Sequence, residues 1–159
     1  MKQKTLALWL KLILIGVALC GAVICALILP GLGTSLVESA PEFGHCYWPW
    51  LIFLWICALP CFAALIVGWR IADNIGKDRS FTNENAKLLS VIAILAGAAA
   101  ALLFTGNIVF MFLNMNHPGI MLASLLVVFV VACFSVGMAA LSHLVRKAAA
   151  LQEESDLTI

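Results

Sequence analysis

Charged side chains are scarce in this chain of 159 residues: Asp, Glu, Lys and Arg make up 11% of it, whereas apolar residues make up 64%. Soluble domains carry about 25% charged residues and roughly 45–50% apolar ones. A soluble fold of this length buries only about 70% of its surface, so it could not hide this many apolar side chains. The scarcity of charge therefore excludes a soluble domain and indicates that lipid surrounds much of the chain.

The sequence also lacks the patterns that identify most enzymes. It contains no Gly-x-Ser-x-Gly, His-Glu-x-x-His, phosphate-binding glycine loop or paired-carboxylate signature. None of its six cysteines forms a Cys-x-x-Cys motif, which removes the main support for a quinone-linked thiol oxidoreductase. Five of them lie in apolar stretches, where cysteine usually serves as a small apolar residue. We therefore expect neither an enzyme activity nor a cofactor.

Four apolar stretches are long enough to cross a bilayer, whose hydrocarbon core of ~30 Å takes about 20 helical residues. They are residues 6–29, 48–69, 88–113 and 120–144. Each must be a helix to satisfy its own backbone groups in lipid, and short connections make the spans antiparallel neighbours. We expect an all-α membrane protein: one domain over residues 1–159 that forms a four-transmembrane-helix bundle.

The basic residues predict the orientation of this bundle. They lie near the N-terminus, in the connection at 70–87 or in the tail at 145–159, and number nine in all: Lys2, Lys4, Lys11, Arg70, Lys77, Arg79, Lys87, Arg146 and Lys147. The connections at 30–47 and 114–119 carry none. Since cytoplasmic loops are rich in Lys and Arg, both termini and a hairpin at 70–87 should be cytoplasmic. The expected location is the bacterial inner membrane.

The spans hold little that a transporter would need. No ionisable residue lies deep in a span, and Lys11 is near enough to a span end to reach the inner headgroups. Asn107, the most polar deep residue, should bridge to a neighbouring helix, and small residues such as Gly97 and Ser135 should form the seams of one compact bundle. An exporter of small solutes or peptides, or an immunity protein, that uses Asn107 and a kink at Pro60 remains an alternative.

The external connections contain residues that can ligate zinc. Glu42, His45 and Cys46 lie in the first external connection, and His117 lies in the second. Carboxylate, imidazole and thiolate are zinc ligands, but this spacing matches no known site. We therefore assign no metal, although a thiol-redox or metal-binding membrane protein remains a second alternative.

The connection at 70–87 has the sequence of a structured hairpin. Gly76 suits a position just beyond a helix end, and Thr82 is a favourable N-cap for the next helix. Glu84 would then lie in the first turn, where a negative charge meets the positive end of the helix dipole. Phe81 is a large apolar residue within this polar turn. We expect it to fold back on the bundle, with contact to a partner as the alternative.

The tail is rich in helix formers, so the fourth helix should continue through Leu151. Residues 152–156 are mainly acidic, and the chain ends in Leu157, Thr158 and Ile159. An acidic segment followed by apolar residues is compatible with a frayed end or with a short docking segment.

Two of these segments resemble a known family. The stretch GKDRSFTNENAKLL (Gly76–Leu89) is similar to the Gly-…-Phe-Ser/Thr-x-Glu-Asn-…-Leu pattern of the YoaS-like domain of unknown function, a bacterial family of small four-helix membrane proteins. The ending LQEESDLTI (Leu151–Ile159) is similar to its Glu-x-Asp-Leu-Thr-Val terminus. LILPGLG (Leu27–Gly33) and ALPCF (Ala58–Phe62) also fit, whereas GHCYWPW (Gly44–Trp50) is richer in Cys and Trp.

The resemblance implies a cytoplasmic partner. Members of that family are often encoded beside a small helix-turn-helix regulator of the Xre/Cro type, which implies a membrane protein that binds or sequesters such a regulator. The net charge of +1 gives no indication of direct binding to nucleic acid. Homo-oligomers remain open. The candidate partner-binding residues are Arg79, Phe81, Glu84, Lys87, Glu153, Glu154, Asp156, Leu157 and Ile159.

Overall fold

The computed structural model describes the backbone of residues 3–157 and the side chains of residues 3–155. Its elements are α1 (Gln3–Val23), a π-helical turn (Ile24–Ile28), α2 (Leu29–Ser39), a 3₁₀ helix (Pro41–Cys46), α3 (Tyr47–Gly76), α4 (Asn83–Phe112) and α5 (Pro118–Leu157). No strand occurs in this part of the chain.

Four long helical stretches are apolar enough to cross a bilayer. The first comprises α1, the π-helical turn and α2, which form one continuous helical stretch of 37 residues, Gln3–Ser39. The other three contain α3, α4 and α5. Many large apolar side chains on these helices are exposed, as a lipid surrounding requires. The predicted all-α class with four spanning helices is therefore confirmed.

The four spans form an open row in chain order. Helix α1 packs on α3, α3 packs on α4, and α4 packs on α5. In the described residues, no Cα atom of α1 lies within 8 Å of α4 or α5, and none of α3 lies within 8 Å of α5. The four predicted helices are present, but they pack in a row and not in the compact arrangement expected from their small residues. Apolar outer faces of α1 and α5 are already stable in lipid, so no hydrophobic force closes the row.

Helix α4 contacts a neighbour on each of two faces, and it is the best-buried span because its many small residues let both neighbours approach closely. One stripe contains the buried Asn85, Ile92 and Ala99 and the half-buried Gly106, and the other contains the buried Ala86, Ala93, Ala100 and Asn107. Seven residues are close to two helical turns, so each stripe keeps to one face.

Hydrogen bonds identify the neighbour that each stripe of α4 contacts. The Asn85 side chain accepts a hydrogen bond from Asn74 of α3. On the other stripe, the hydroxyls of Ser135 and Ser142 of α5 donate to the carbonyls of Ala93 at 2.7 Å and Ala86 at 2.6 Å. The first stripe therefore contacts α3 and the second contacts α5.

A proline in the first span explains the π-helical turn. The Leu29 N–H donates to the Ile24 carbonyl, one residue farther back than in an α-helix. Pro30 has no N–H, so the next carbonyl in this register, that of Cys25, has no donor within the helix. The indole Nε1–H of Trp55 in α3 donates to it at 2.9 Å. The irregular turn thereby becomes a polar contact between two spans.

Both described ends of the chain lie at the same end of the row as the α3–α4 turn. Near the start of α1, Lys11 forms an ion pair with Asp73 of α3, and its Nζ lies 5.1 Å from the ring centroid of Trp69. Sequence reasoning had assigned Lys11 to the headgroups and had overlooked Asp73. We call this end of the row the terminal face. The opposite end, with residues 39–47 and 113–117, is the loop face.

Candidate functional site

The α3–α4 turn is closed by backbone hydrogen bonds. The N–H of Lys77 donates to the Asp73 carbonyl at 3.2 Å, and that of Arg79 donates to the Asn74 carbonyl at 3.0 Å. Asp78 occupies the left-handed region with a φ of 61°. The expectation that Gly76 lies beyond the helix end was wrong, because Gly76 is the last residue of α3.

Gly76 has a packing role instead. A Cβ at Gly76 would lie 3.2 Å from the Cβ of Ala7, so the missing side chain lets α1 approach α3 closely. Ala7 is itself buried at this contact. The glycine therefore brings α1 against the base of the turn.

Asn85 holds the turn from inside. Its side chain is 2% exposed. Its Oδ1 accepts from Asn74 Nδ2 at 2.8 Å, and its Nδ2 donates to the carbonyls of Arg79 at 2.9 Å and Ser80 at 3.0 Å. Its backbone N–H donates to the hydroxyl of Thr82 at 3.3 Å, which confirms Thr82 as the N-cap of α4. A buried amide with every polar group paired makes this turn rigid.

Phe81 projects from the tip of this rigid turn. Its side chain is 58% exposed, so the expectation that it folds back on the bundle was wrong. The side chain of Asn85 and its carbonyl partners occupy the inner side of the turn, which leaves the ring outside. Arg79, Glu84 and Lys87 are also exposed. The turn thus presents one aromatic ring among charges of both signs.

Helix α5 continues past this turn. The paired residues Ser135 with Ala93 and Ser142 with Ala86 are seven apart on each helix. Ala149, seven residues beyond Ser142, is 3% exposed and is therefore still packed within the protein. Helix α5 ends at Leu157, eight residues farther on, or about 12 Å at the rise of an α-helix. The terminal face therefore bears both the turn and a helical projection beside it.

The partner-binding candidates of the tail are only partly described. Glu153 and Glu154 are exposed on α5. Asp156 and Leu157 belong to the helix, but their side chains lie outside the described residues. Ile159 lies outside them entirely.

Asn107 links spans near the loop face. Its side chain is 3% exposed, and its Nδ2 donates to the Leu103 carbonyl at 2.8 Å. Its Oδ1 accepts from Ser124 of α5 at 2.8 Å and from Asn116 at 3.1 Å. The predicted bridge to a neighbouring helix is present. These bonds commit the Asn107 side chain to packing α4 against α5.

The zinc-ligand candidates are not gathered into one site. Nδ1 of His45 lies 3.0 Å from the Glu42 carbonyl, and its Nε2 lies 3.3 Å from Cys46 Sγ. In the other connection, His117 Nδ1 accepts from the N–H of Gly119 at 3.1 Å. Within residues 3–155, no three His, Cys, Asp or Glu side chains converge in a way that could hold a metal ion.

Comparisons with known proteins agree with this architecture. A family model described as a protein of unknown function, DUF2975, matches residues 31–159. The uncharacterized membrane protein YoaS of Bacillus subtilis (strain 168) is 24% identical over 160 residues, which is 99% of each chain. No solved structure matches. The resemblance noted in the turn and the tail is confirmed, and this multi-pass membrane protein belongs to the DUF2975 family.

Proposed function

We propose that this protein is a regulatory protein of the bacterial inner membrane that binds a small cytoplasmic transcription regulator at its terminal face. The observation that carries the proposal is the exposed ring of Phe81 on a turn fixed by Asn85. A binding residue held by a rigid support loses little conformational freedom on binding. Aromatic anchors of this kind supply much of the binding energy of protein interfaces.

The charges around Phe81 favour a protein partner. Six of the eight acidic residues, all except Glu38 and Glu42, belong to the α3–α4 region or to the tail. They lie among the Lys and Arg residues of the same segments, so this face has no purely basic surface for nucleic acid. Mixed charges around an apolar anchor select a partner by charge complementarity. The Xre/Cro-type class of the partner rests on the resemblance alone.

The exporter alternative gains no support from the geometry. Asn107 is committed to hydrogen bonds within the protein. In the described residues the helices form an open row, and one open row encloses no passage. An exporter built from this chain would therefore require at least a second copy.

The proposal requires the terminal face to be cytoplasmic. Alkaline phosphatase is active only outside the cytoplasm, so a fusion after Glu42 should be active and fusions after Lys77 or Ile159 should be inactive. The physical reason is the concentration of Lys and Arg in the segments of the terminal face. Green fluorescent protein fusions at the same three sites provide the control and should show the reverse pattern. Phosphatase activity at Lys77 would contradict the orientation.

Changing Phe81→Ala should weaken capture of the partner at least tenfold, because it removes the exposed aromatic anchor. Tenfold corresponds to about 1.4 kcal/mol, which one interfacial aromatic residue can supply. The measurement uses a photo-crosslinking amino acid in place of Arg79, followed by mass spectrometry of the crosslinked protein from intact cells. The crosslinked protein should be a DNA-binding regulator, and its yield should fall in the Phe81→Ala variant.

The matched control for this experiment is Phe112→Ala. Phe112 is 85% exposed at the end of α4 on the loop face, so its removal should leave crosslinking at position 79 unchanged. Both variants should unfold in detergent at the temperature of the parent. The proposal fails if no DNA-binding protein is crosslinked, or if Phe81→Ala lowers the unfolding temperature while Phe112→Ala does not.

A further inference from the structure

An open cavity of about 310 Å³ lies on the loop face, where α2 meets the start of α3. Its lining residues are Thr34, Val37, Glu38, Gly44, Tyr47 and Trp48. Small-molecule pockets in proteins have volumes of roughly 300–1,000 Å³, so this open cavity has room for a small ligand at the lower end of that range. It lies at the opposite end of the row from Phe81. A ligand in this cavity therefore does not depend on the proposed docking of a regulator at the terminal face.

The cavity combines one carboxylate with two aromatic rings. The rings of Tyr47 and Trp48 meet edge to face, with centroids 5.3 Å apart and an interplanar angle of 81°. Trp48 is 62% exposed, so its indole is open to a ligand. The faces of aromatic rings are negative and attract cations, most strongly for tryptophan. A carboxylate beside such rings makes the cavity selective for positive charge.

Among the described residues, no Lys or Arg lines this cavity. Between Lys11 and Arg70 the sequence contains no Lys or Arg. The ion pair found in the described residues joins Lys11 to Asp73 on the terminal face and leaves Glu38 without a basic partner. The second external connection, at 114–119, also lacks Lys and Arg. The Glu38 carboxylate is therefore available to an external cation.

The walls of the cavity are fixed by the backbone. Helix α2 ends at Ser39, its C-cap Ala40 has a φ of −142°, and the 3₁₀ helix Pro41–Cys46 returns the chain to α3. A Cβ built on Gly33 would lie 2.6 Å from Cε2 of Tyr47, so this glycine lets the ring lie directly on the α2 backbone. A preformed wall reduces the ordering cost of binding.

We propose that this cavity binds an organic ammonium ion, with Glu38 as its counter-ion and the rings of Tyr47 and Trp48 in cation–π contact with it. A free amine or quaternary ammonium compound has this chemistry, and so does the head group of a zwitterionic lipid. A ligand of this class explains why the outer connection is rich in aromatic residues and lacks basic ones.

The test is a titration of the whole protein with choline, in nanodiscs made of phosphatidylglycerol. The five tryptophans are replaced biosynthetically by 5-fluorotryptophan, and the fluorine resonance of Trp48 is assigned with Trp48→Phe. Choline should shift this resonance until the shift saturates at high choline concentration, whereas sodium chloride at the same concentration should not shift it. Glu38→Gln should weaken choline binding at least tenfold. Glu42→Gln is the matched control, since Glu42 does not line the cavity, and should bind like the parent.

Two outcomes would overturn the proposal. One is an affinity for choline that Glu38→Gln leaves unchanged. The other is equal affinity for 3,3-dimethyl-1-butanol, which has the shape of choline without its charge, because the cavity would then select shape alone. Circular dichroism should show that Glu38→Gln is as helical as the parent, since the side chain is exposed.

A second experiment distinguishes a free ammonium compound from a lipid head group as the source of the ammonium ion. Choline titrations are repeated in nanodiscs that contain phosphatidylethanolamine, whose head group carries a primary ammonium. A weaker apparent affinity for choline in these nanodiscs indicates that a lipid head group occupies the cavity. An unchanged affinity shows that this lipid head group does not occupy the cavity and favours a free cation as the source.

Discussion

Replacing Asn85 by leucine should reduce the free energy of unfolding by about 2–4 kcal/mol. The change leaves the carbonyl of Ser80 and the amide of Asn74 without the partners that Asn85 provides, and the Arg79 carbonyl with only a long contact to Thr82. Each buried polar group without a partner costs about 1–3 kcal/mol. The measurement is an equilibrium titration with sodium dodecyl sulfate of protein in mixed micelles.

Asn83→Leu is the matched control for this experiment. Asn83 is exposed at the first position of α4, two residues before Asn85, so its replacement should change the unfolding free energy by less than about 0.5 kcal/mol. Asn85→Asp should fall between the two variants, because it keeps the acceptor for Asn74 and loses the donor to the turn. Equal losses for Asn83→Leu and Asn85→Leu would show that the buried amide does not hold the turn.

Replacing Gly106 by alanine should destabilise the contact between α3 and α4 by about 1–3 kcal/mol, the usual cost of overpacking. The new Cβ would overlap ring atoms of Phe53. This ring cannot move aside freely, because it meets Phe110 edge to face at 5.3 Å and Trp50 at 5.9 Å. Trp50 is itself fixed by a hydrogen bond of 2.7 Å to the Met115 carbonyl.

Gly137→Ala on α5 provides the control for Gly106→Ala. A Cβ at Gly137 would have no atom within 4 Å, so this variant should be as stable as the parent or slightly more stable. Unfolding of both variants by sodium dodecyl sulfate gives the comparison. Similar effects of the two substitutions would mean that Phe53 adjusts and that Gly106 is not needed for close packing.

The four spans could be predicted because lipid imposes a length and a composition on any helix that crosses it. The order of the helices in the row could not be predicted from the sequence. A lipid-facing residue and a helix-facing residue can both be apolar, so the sequence carries little periodic signal for the neighbour of each face. Helix α4 illustrates the difficulty, since its two buried stripes start at the adjacent residues Asn85 and Ala86.

In the α3–α4 turn, only features that depend on the local sequence could be predicted. Thr82 was identifiable as an N-cap because capping depends on local sequence. The exposure of Phe81 depends on Asn74, which lies on another helix and donates a hydrogen bond to the side-chain amide of Asn85. The family-like motif therefore contains two kinds of residue: Thr82 and Asn85 build the turn, whereas Phe81 and Glu84 face outward.

The open row has a consequence for biogenesis. Within residues 3–157, each span packs only on spans that are adjacent to it in the chain, so the order of synthesis is also an order of assembly. When α3 emerges from the ribosome, α1 is already in the membrane to receive it, and α4 and α5 in turn find their partners in place. Contacts between neighbours in sequence form faster than distant ones. The chain can therefore assemble one helix at a time, with no helix waiting for a partner that has yet to be made.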